Sequence, residues 1–305
     1  MAATCCTETI KPMRKFFGFI LMAVLGLTGG VTQQVCAQRV VADSLEVGGF
    51  MRHFQMFLPD NLPAQAPLVF VLHGYGSSAP VDTWMNDAAV KHGFALCVPK
   101  GLKDKTGKPG WNVRYPSQEG FEPDDVQTMV KLAKFVQKKY NLSKANTFLT
   151  GMSNGGDLCF LMNYQKQNAF RALASLAGIT ITWMREERVP TKPIPFMEIH
   201  GTKDALSTWE GDLGNTLGWG QYYGVLEAVS YIVEKNGCVA LPTDTVKGKS
   251  FEKNGHMIVH HRYVNPKTHN DVWLYEVIGS GHNWFRADMD TGEEVWKFFS
   301  QYLKK

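Results

Sequence analysis

Residues 147–161 read TFLTGMSNGGDLCFL, two apolar stretches joined by a glycine-rich turn. Thr147–Thr150 has the composition of a short strand, and an apolar helical pattern begins near Asp157. The turn between them matches G-x-S-x-G, a sharp strand-to-helix connection that holds its serine in a strained backbone conformation. The flanking glycines lack the side chains that would clash there. The stretch therefore predicts a strand, a turn and a helix that present Ser153 as a nucleophile, beside a helix N-terminus that favours developing negative charge.

The rest of the chain alternates between apolar runs of strand length and helical patterns. Two continuous apolar runs, residues 67–72 and 94–98, suit strands buried on both faces of a parallel sheet, and residues 195–199 are predicted as a further strand. Apolar residues at helical spacing follow Asp124 and recur between Val295 and Leu303, and Gly48-Gly49 marks an opening hairpin. We therefore expect the α/β class, with a mostly parallel, doubly wound sheet and helices on both faces. Residues 205–255 fit this alternation least and are expected to form an insertion that covers the site.

Two further side chains are needed to activate Ser153. A serine hydroxyl is a poor nucleophile unless a base takes its proton, and a third group must orient that base. In folds built around this turn, an acid and then a histidine follow the serine, each after a strand end. The apolar run at 195–199 leads to Asp204, and an alternating run at 272–278 leads through Gly279-Ser280-Gly281 to His282. We therefore predict Ser153, Asp204 and His282 as the catalytic residues.

Other residues compete for two of these roles. Asp212 and Asp288 are alternative acids, but neither directly follows a predicted strand. His73 and His200 close strands, yet each precedes a glycine and is interpreted as a turn residue. A structural role for His282, with another base, is the remaining alternative.

Stabilising a tetrahedral oxyanion needs two backbone N–H groups aimed at one oxygen. One is expected from Asn154, directly after the nucleophile. The other is expected from the loop His73-Gly74-Tyr75-Gly76, which follows the early apolar run, with Tyr75 as the best candidate. An ordinary tight turn is the structural alternative for this loop.

Tryptophans and histidines suggest further sites. Trp111 and Trp284 are the preferred substrate-binding residues, since flat aromatic rings bind aromatic acyl groups and sugar faces, although most tryptophans serve in packing. Trp84, Trp209 and Trp219 are weaker candidates for the same cleft. A histidine-rich stretch, His256 to His269, invites a metal hypothesis. However, His260 and His261 are adjacent on a predicted strand and point to opposite faces, so we expect no metal and no cofactor.

The first 37 residues have the organisation of an export signal. A basic start at Met13-Arg14-Lys15 precedes an apolar run from Phe16 to Leu27, and Val35-Cys36-Ala37 supplies small residues before Gln38. Met13 is an alternative start of translation. The apolar run is short for a membrane span of about 20 residues, although an uncleaved anchor is the alternative. We expect a single catalytic domain at 38–305, secreted or periplasmic, without a stable membrane span after processing.

Charge and cysteine content limit the remaining possibilities. The formal net charge of the 305 residues is +4, without a cluster of basic residues, so we expect no nucleic-acid partner. Beyond the predicted leader, Cys97, Cys159 and Cys238 allow at most one disulfide, and their spacing matches no zinc pattern. Buried free thiols are preferred for Cys97 and Cys159, while the question of a disulfide stays open.

Taken together in chain order, these motifs resemble the secreted polyhydroxybutyrate depolymerase and feruloyl esterase group of α/β-hydrolases. The resemblance covers most of residues 45–302 and rests on an ordered set of motifs: Gly48-Gly49, His73-Gly74-x-Gly76, Trp111-Asn112, Asp124-Asp125-Val126, Gly151-x-Ser153-Asn154-Gly155-Gly156, His200-Gly201-Thr202-x-Asp204 and Gly281-His282-x-Trp284. It implies an α/β-hydrolase fold and a triad at Ser153, Asp204 and His282. Two departures alter the walls near the acyl pocket: Phe285-Arg286 where the family often has Pro-Gly, and Tyr75 where it often has cysteine.

The expected function is that of an exported serine carboxylic ester hydrolase. The resemblance and the leader favour feruloyl or acetyl esters of plant polysaccharide, hence a carbohydrate-linked ester as the partner molecule. A depolymerase of polyhydroxyalkanoate type and a serine peptidase are alternatives within the same fold. A non-catalytic carbohydrate-binding protein is the alternative from another class, which the filled triad positions disfavour.

Overall fold

The computed structural model describes residues 38–60, 62–77, 79–188 and 191–304. The predicted leader at 1–37 lies outside this part of the chain. No helix within the described ranges is long and apolar enough to cross a membrane. Cys97, Cys159 and Cys238 are all free thiols, the first two fully buried, as expected for those two.

Strands and helices alternate along most of the chain. The strands, in chain order, are β1 Gln38–Val47, β2 Phe50–Pro59, β3 Leu68–Leu72, β4 Ala95–Pro99, β5 Leu102–Lys103, β6 Pro109–Gly110, β7 Thr147–Met152, β8 Leu173–Leu176, β9 Thr180–Ile181, β10 Phe196–Gly201, β11 Gly211–Asp212, β12 Tyr222–Tyr223, β13 Val239–Ala240, β14 Asp244–Lys247, β15 Met257–Val264 and β16 Val272–Ile278. The helices are α1 Asn86–His92, α2 Asp125–Lys139, α3 Asn154–Tyr164, α4 Thr182–Glu186, α5 Val225–Asn236, α6 Phe251–Asn254 and α7 Thr291–Ser300.

The main sheet has a parallel centre and antiparallel edges. Its strand order is β1-β2-β4-β3-β7-β8-β10-β16-β15-β13, with β14 also paired to β15. The six strands from β4 to β16 in that order run parallel, and β1, β2 and β15 are antiparallel to their neighbours. This is the doubly wound arrangement that the apolar runs predict, and the hairpin at Gly48-Gly49 is present.

Side-chain alternation along the central strands builds two hydrophobic layers. In β3, Leu68, Phe70 and Leu72 face one layer, while Val69 and Val71 face the other. Helices α2, α3 and α5 contribute to the first layer, and α1 and α7 contribute to the second. The sheet therefore carries helices on both faces, and this packing fixes the positions of the strand ends.

Residues 205–255 do not form the single insertion expected from the sequence. Helix α5 packs against β10 and β16 as a regular crossover helix. Beyond it, β13 and β14 pair with β15 and extend the main sheet. The segment 205–223 stands apart from the main sheet, since β11 pairs with β12, and β12 pairs with β9, in a small separate sheet. Residues 205–255 fit the predicted alternation poorly because the strands in this stretch are too short for an apolar pattern to be recognised in the sequence.

Candidate active site

Ser153 occupies a strained turn between β7 and α3. Its backbone angles are φ 56° and ψ −126°, a region that non-glycine residues rarely adopt. Glycines make the turn sterically possible: a Cβ on Gly155 would lie 2.7 Å from the Leu72 carbonyl oxygen, and one on Gly151 would lie 2.6 Å from the Gly155 carbonyl carbon. Helix α3 begins at Asn154, so its unpaired N-terminal N–H groups lie beside the serine.

Asp204 and His282 come into direct contact from the ends of neighbouring parallel strands. Asp204 follows β10 and His282 follows β16, and Nδ1 of His282 lies 2.7 Å from Oδ2 of Asp204. Oδ1 of Asp204 accepts hydrogen bonds from the backbone N–H groups of Leu206 and Ser207, at 2.8 Å each. Burial acts to raise the pKa of Asp204, but the His282 ring and these N–H groups outweigh it and hold the pKa below its ordinary value. Asp204 is therefore an ionised, rigidly oriented partner for the imidazole.

The serine shares the sheet edge at which this pair assembles. Strands β7, β8, β10 and β16 are parallel neighbours, so the residues that follow β7, β10 and β16 emerge on one side. Among the described residues, the Ser153 hydroxyl has no hydrogen-bond partner within 3.5 Å, so its contact with His282 is not closed in this structure. Such contacts are often long without substrate and tighten when it binds.

The predicted oxyanion loop lies directly against the nucleophile. A Cβ on Gly74 would lie 3.3 Å from Cβ of Ser153. Two contacts anchor the loop. The Gly76 N–H donates to the Pro109 carbonyl at 2.7 Å, and the Tyr75 hydroxyl donates to Asp104 at 2.5 Å. Within the described residues the Tyr75 N–H donates to no backbone oxygen, and that of Asn154 is at the first position of α3. Tyr75 and Asn154 thus lie in segments next to Ser153, and their N–H groups remain the predicted pair for an oxyanion hole.

The sequence predicts Trp111 as a substrate-binding residue, but its ring is buried against His73 and exposes no surface to substrate, so that prediction is wrong for the side chain. The ring is fully buried, its Nε1–H donates to the His73 carbonyl at 2.9 Å, and it packs on the His73 ring. The Trp111 backbone is clamped by Asn154, whose side chain accepts from the Trp111 N–H at 2.7 Å and donates to its carbonyl at 3.1 Å. Trp111 therefore ties the oxyanion loop to the start of α3 and is unavailable to substrate.

Trp284 lines a cavity beside the oxyanion loop. The cavity has a volume of about 180 Å³, and its walls include Leu72, His73, Trp84, Trp284 and Arg286. The rings of Trp84 and Trp284 lie 5.9 Å apart with an interplanar angle of 36°. Neither Ser153 nor His282 lines the cavity, but Trp284 is two residues beyond His282 in the chain and His73 directly precedes Gly74, so segments that adjoin both residues form part of its walls. An aromatic-walled pocket of this size suits a small planar acyl group.

The alternative catalytic residues have structural partners elsewhere. Asp212 accepts from the Thr216 and Leu217 N–H groups of its own loop, and Asp288 pairs with His256 at 2.8 Å. His73 is buried, and its Nε2 accepts from the Gly101 N–H at 2.9 Å. None of these three is hydrogen-bonded to His282 or Ser153 among the described residues.

His200 is not the turn residue that the sequence suggested. It belongs to β10, is fully buried, and contacts Glu198 of the same strand, a carboxylate that sequence reasoning missed. The available signal was a single glutamate inside the otherwise apolar run 195–199.

The histidine-rich stretch provides no metal site in the described part of the chain. The ring of His260 stacks on Tyr275 at 4.0 Å, whereas His261 lies 3.1 Å from Glu276. No group of three or more His, Cys, Asp or Glu side chains within the described ranges is arranged to hold a metal ion.

Comparison with known proteins places this site in a family. Residues 48–300 match the model of the Esterase family, described as "Putative esterase". The chain belongs to the esterase family. An acetyl xylan esterase from Aspergillus awamori has a similar structure, with a TM-score of 0.56 and 14% identity over 83% of this chain and 94% of that one. At that identity the likeness shows the fold alone, and the fold is that of the α/β-hydrolases.

Two curated relatives of this esterase-family chain are distant, and each match covers only part of the relative. A bifunctional acetylxylan esterase/xylanase of Neocallimastix patriciarum is 24% identical over 56% of this chain and 24% of its own length. Feruloyl esterase B of Neurospora crassa is 26% identical over 40% of this chain and 42% of its own length. The chain thus spans less than half the length of either relative.

Proposed function

We propose that this esterase-family chain is a serine carboxylic ester hydrolase with Ser153, His282 and Asp204 as its triad. The observation that carries the proposal is the 2.7 Å contact between His282 and the ionised Asp204 at the sheet edge that bears the strained Ser153. This arrangement leaves Nε2 of His282 as the base, because Nδ1–H is committed to the carboxylate.

The chemistry proceeds in two acyl transfers. Nε2 of His282 takes the proton of the Ser153 hydroxyl as its oxygen attacks the ester carbonyl carbon. The N–H groups of Tyr75 and Asn154 stabilise the oxyanion, and Asp204 stabilises the imidazolium. His282 then returns the proton to the departing alcohol oxygen. In the second transfer, His282 takes a proton from water as the water oxygen attacks the acyl-serine. The acid is released and His282 returns the proton to the Ser153 oxygen, which restores the enzyme.

For the substrate we propose a feruloyl or acetyl ester attached to plant polysaccharide. Support comes from the names of the relatives, which include acetylxylan and feruloyl esterases. The cavity walled by Trp84 and Trp284 also fits a small acyl group, and stacking on aromatic rings favours a planar one. Such polymers lie outside the cell, which agrees with the proposed export of the chain to the periplasm or medium by the leader at 1–37.

The test compares the purified protein with its Ser153→Ala variant on four substrates: p-nitrophenyl acetate, methyl ferulate, acetylated xylan and hydroxybutyrate oligomers. We expect turnover of the first three, with a loss of at least about 10³-fold in the variant. Labelling of the wild-type protein by a fluorophosphonate, mapped to Ser153 by mass spectrometry, provides an independent readout. Preference for the hydroxybutyrate oligomers would indicate that the substrate is a polyhydroxyalkanoate. Polysaccharide binding without any turnover or labelling would overturn the enzymatic proposal.

A further inference from the structure

A fully buried acid–imidazole pair lies behind the proposed triad. Oε1 of Glu198 is 2.8 Å from Nδ1 of His200, and both side chains have 0% exposure. The other ring nitrogen of His200 lies 2.7 Å from the Ser207 carbonyl and 3.7 Å from Oδ2 of Asp204. That Oδ2 atom is the one that accepts from His282. Through His200, the pair therefore lies next to the same oxygen of Asp204 that contacts His282.

The surroundings of His200 fix its protonation. Nε2 faces only acceptors, so it carries a proton, and Nδ1 faces a carboxylate that also favours a proton. Burial lowers the pKa of His200, but the hydrogen bond and charge of Glu198, the Ser207 carbonyl and Asp204 together raise it. The other titratable groups close to the pair are Asp157 and Cys159 on α3, and the Trp209 ring lies 6.0 Å from His200. Glu276, opposite His200 on β16, is paired with His261 instead.

Ser207 connects the buried pair mechanically to the catalytic acid. Its carbonyl accepts from His200, and its N–H donates to Oδ1 of Asp204. The imidazole thus holds the loop whose N–H groups orient the carboxylate. Burying ionised groups costs several kcal/mol, and the other side chains of β10 are apolar, so keeping this pair costs stability and points to a role in the site.

We infer that Glu198 and His200 form a positioning pair that holds the 204–207 loop, and with it the carboxylate of Asp204, in place for His282. This inference rests on the proposed function. Glu198 fixes the His200 ring at Nδ1, the ring donates from Nε2 to the Ser207 carbonyl, and the Ser207 N–H donates to Oδ1 of Asp204. Loss of the first contact should therefore loosen the carboxylate that orients His282.

The test is the variant Glu198→Gln, which keeps the size and hydrogen-bonding capacity of the side chain. Without the charge of Glu198 the His200 ring is held less firmly, and Asp204 is freer to turn away from His282. We expect kcat for p-nitrophenyl acetate to fall about tenfold while KM stays within about twofold, because a misoriented acid impairs the chemical step and leaves substrate binding unchanged. Glu293→Gln is the matched control, because Glu293 pairs with His92 on the outer face between α1 and α7.

The decisive readout is independent of catalysis. In ¹⁵N-edited spectra of the wild-type protein, Nε2 of His200 should carry a proton, and the Nδ1–H of His282, which donates to Asp204, should give a downfield signal. In Glu198→Gln that downfield signal should broaden or disappear. A His200 ring without a proton on Nε2 in the wild-type protein, or an unchanged His282 signal in the folded variant, would overturn the inference. These spectra answer the question in the wild-type protein even when the variant does not fold. Absence of esterase turnover in the wild-type protein would instead count against the proposed function.

Discussion

The two carboxylate oxygens of Asp204 have different tasks: Oδ2 accepts from Nδ1 of His282 at 2.7 Å, while Oδ1 accepts from two backbone N–H groups. An amide at this position cannot reproduce both. In Asp204→Asn the amide oxygen must stay on the N–H groups of Leu206 and Ser207, which turns the NH₂ group toward His282. That donor would hold the imidazole in the wrong tautomer.

We therefore expect Asp204→Asn to lower kcat by about 10⁴-fold while the fold is retained. The measurement is steady-state hydrolysis of p-nitrophenyl acetate, with circular dichroism to verify folding. Asp212→Asn is the matched control, since Asp212 binds only its own loop, and it should stay within about twofold of the wild-type rate. A large loss of kcat in the Asp212 variant and a small loss in the Asp204 variant would mean that Asp212, and not Asp204, is the catalytic acid.

Much of this site follows from the sequence because its parts are local. The turn at Ser153 needs glycines on either side, and such a requirement is visible in five consecutive residues. The order of Ser153, Asp204 and His282 could be predicted because each follows an apolar strand, and parallel strands present their carboxyl ends at one edge. Neither argument needs the tertiary structure.

Side-chain direction could not be predicted in the same way. A tryptophan beside the motif residue Asn112 carries no signal for which way its ring points. The ring of Trp111 is turned inward by partners distant in the chain, namely His73, Arg52 and Asn154. The partnership of Glu198 with the triad likewise depends on the loop 204–207 folding back over β10, which no local pattern encodes.

Asp157 should give the protein a pH-dependent stability. Its side chain is fully buried, accepts from the Ile179 N–H at 2.7 Å and bonds the Tyr115 hydroxyl. Burial raises its pKa to about 8, and the nearby Glu198 adds to the rise. Between about pH 4 and pH 8 the folded state therefore holds a proton that the unfolded state has lost, so the free energy of unfolding falls as pH rises through this window.

The variant Asp157→Asn removes this titration while keeping an acceptor for Ile179. Relative to the variant, the wild-type protein should lose roughly 2–4 kcal/mol of unfolding free energy between pH 5 and pH 8. Urea denaturation at pH 5, 6.5 and 8 measures the difference. Asp212→Asn is the control, because backbone N–H groups lower the pKa of Asp212 and the carboxyl does not titrate in this range. The difference in unfolding free energy between this variant and the wild-type protein should not change with pH. A flat difference for Asp157→Asn would mean that the carboxyl is ionised throughout.

A second buried pair supports the loop that carries Trp111. Nη2 of Arg52 lies 2.5 Å from Oδ1 of Asp125, with side-chain exposures of 1% and 0%, and Oδ2 of Asp125 accepts from the Asn112 N–H at 2.6 Å. Arg52→Met would leave the carboxylate buried without its cation. We expect a loss of about 3–5 kcal/mol in the free energy of unfolding, measured with urea.

The double variant Arg52→Met/Asp125→Asn should recover a large part of that loss, because the amide is neutral and still accepts from Asn112. Recovery would show that the loss of stability in Arg52→Met comes from the unpaired buried charge of Asp125. If the double variant is as unstable as Arg52→Met alone, the arginine acts through packing against Trp111, over which its guanidinium lies at 5.9 Å.

The aromatic wall of the cavity should decide between acyl groups. Trp284 is half-buried and forms that wall together with Trp84, whereas Trp183 packs under the Arg114 guanidinium at another part of the surface. Loss of stacking on a planar acyl group costs about 0.5–1.5 kcal/mol, so Trp284→Ala should lower kcat/KM for methyl ferulate about 3- to 10-fold more than for p-nitrophenyl acetate. Trp183→Ala should leave that ratio unchanged. An equal loss on both esters would mean that Trp284 positions the His282 loop and does not select the acyl group, since acetyl is too small to stack.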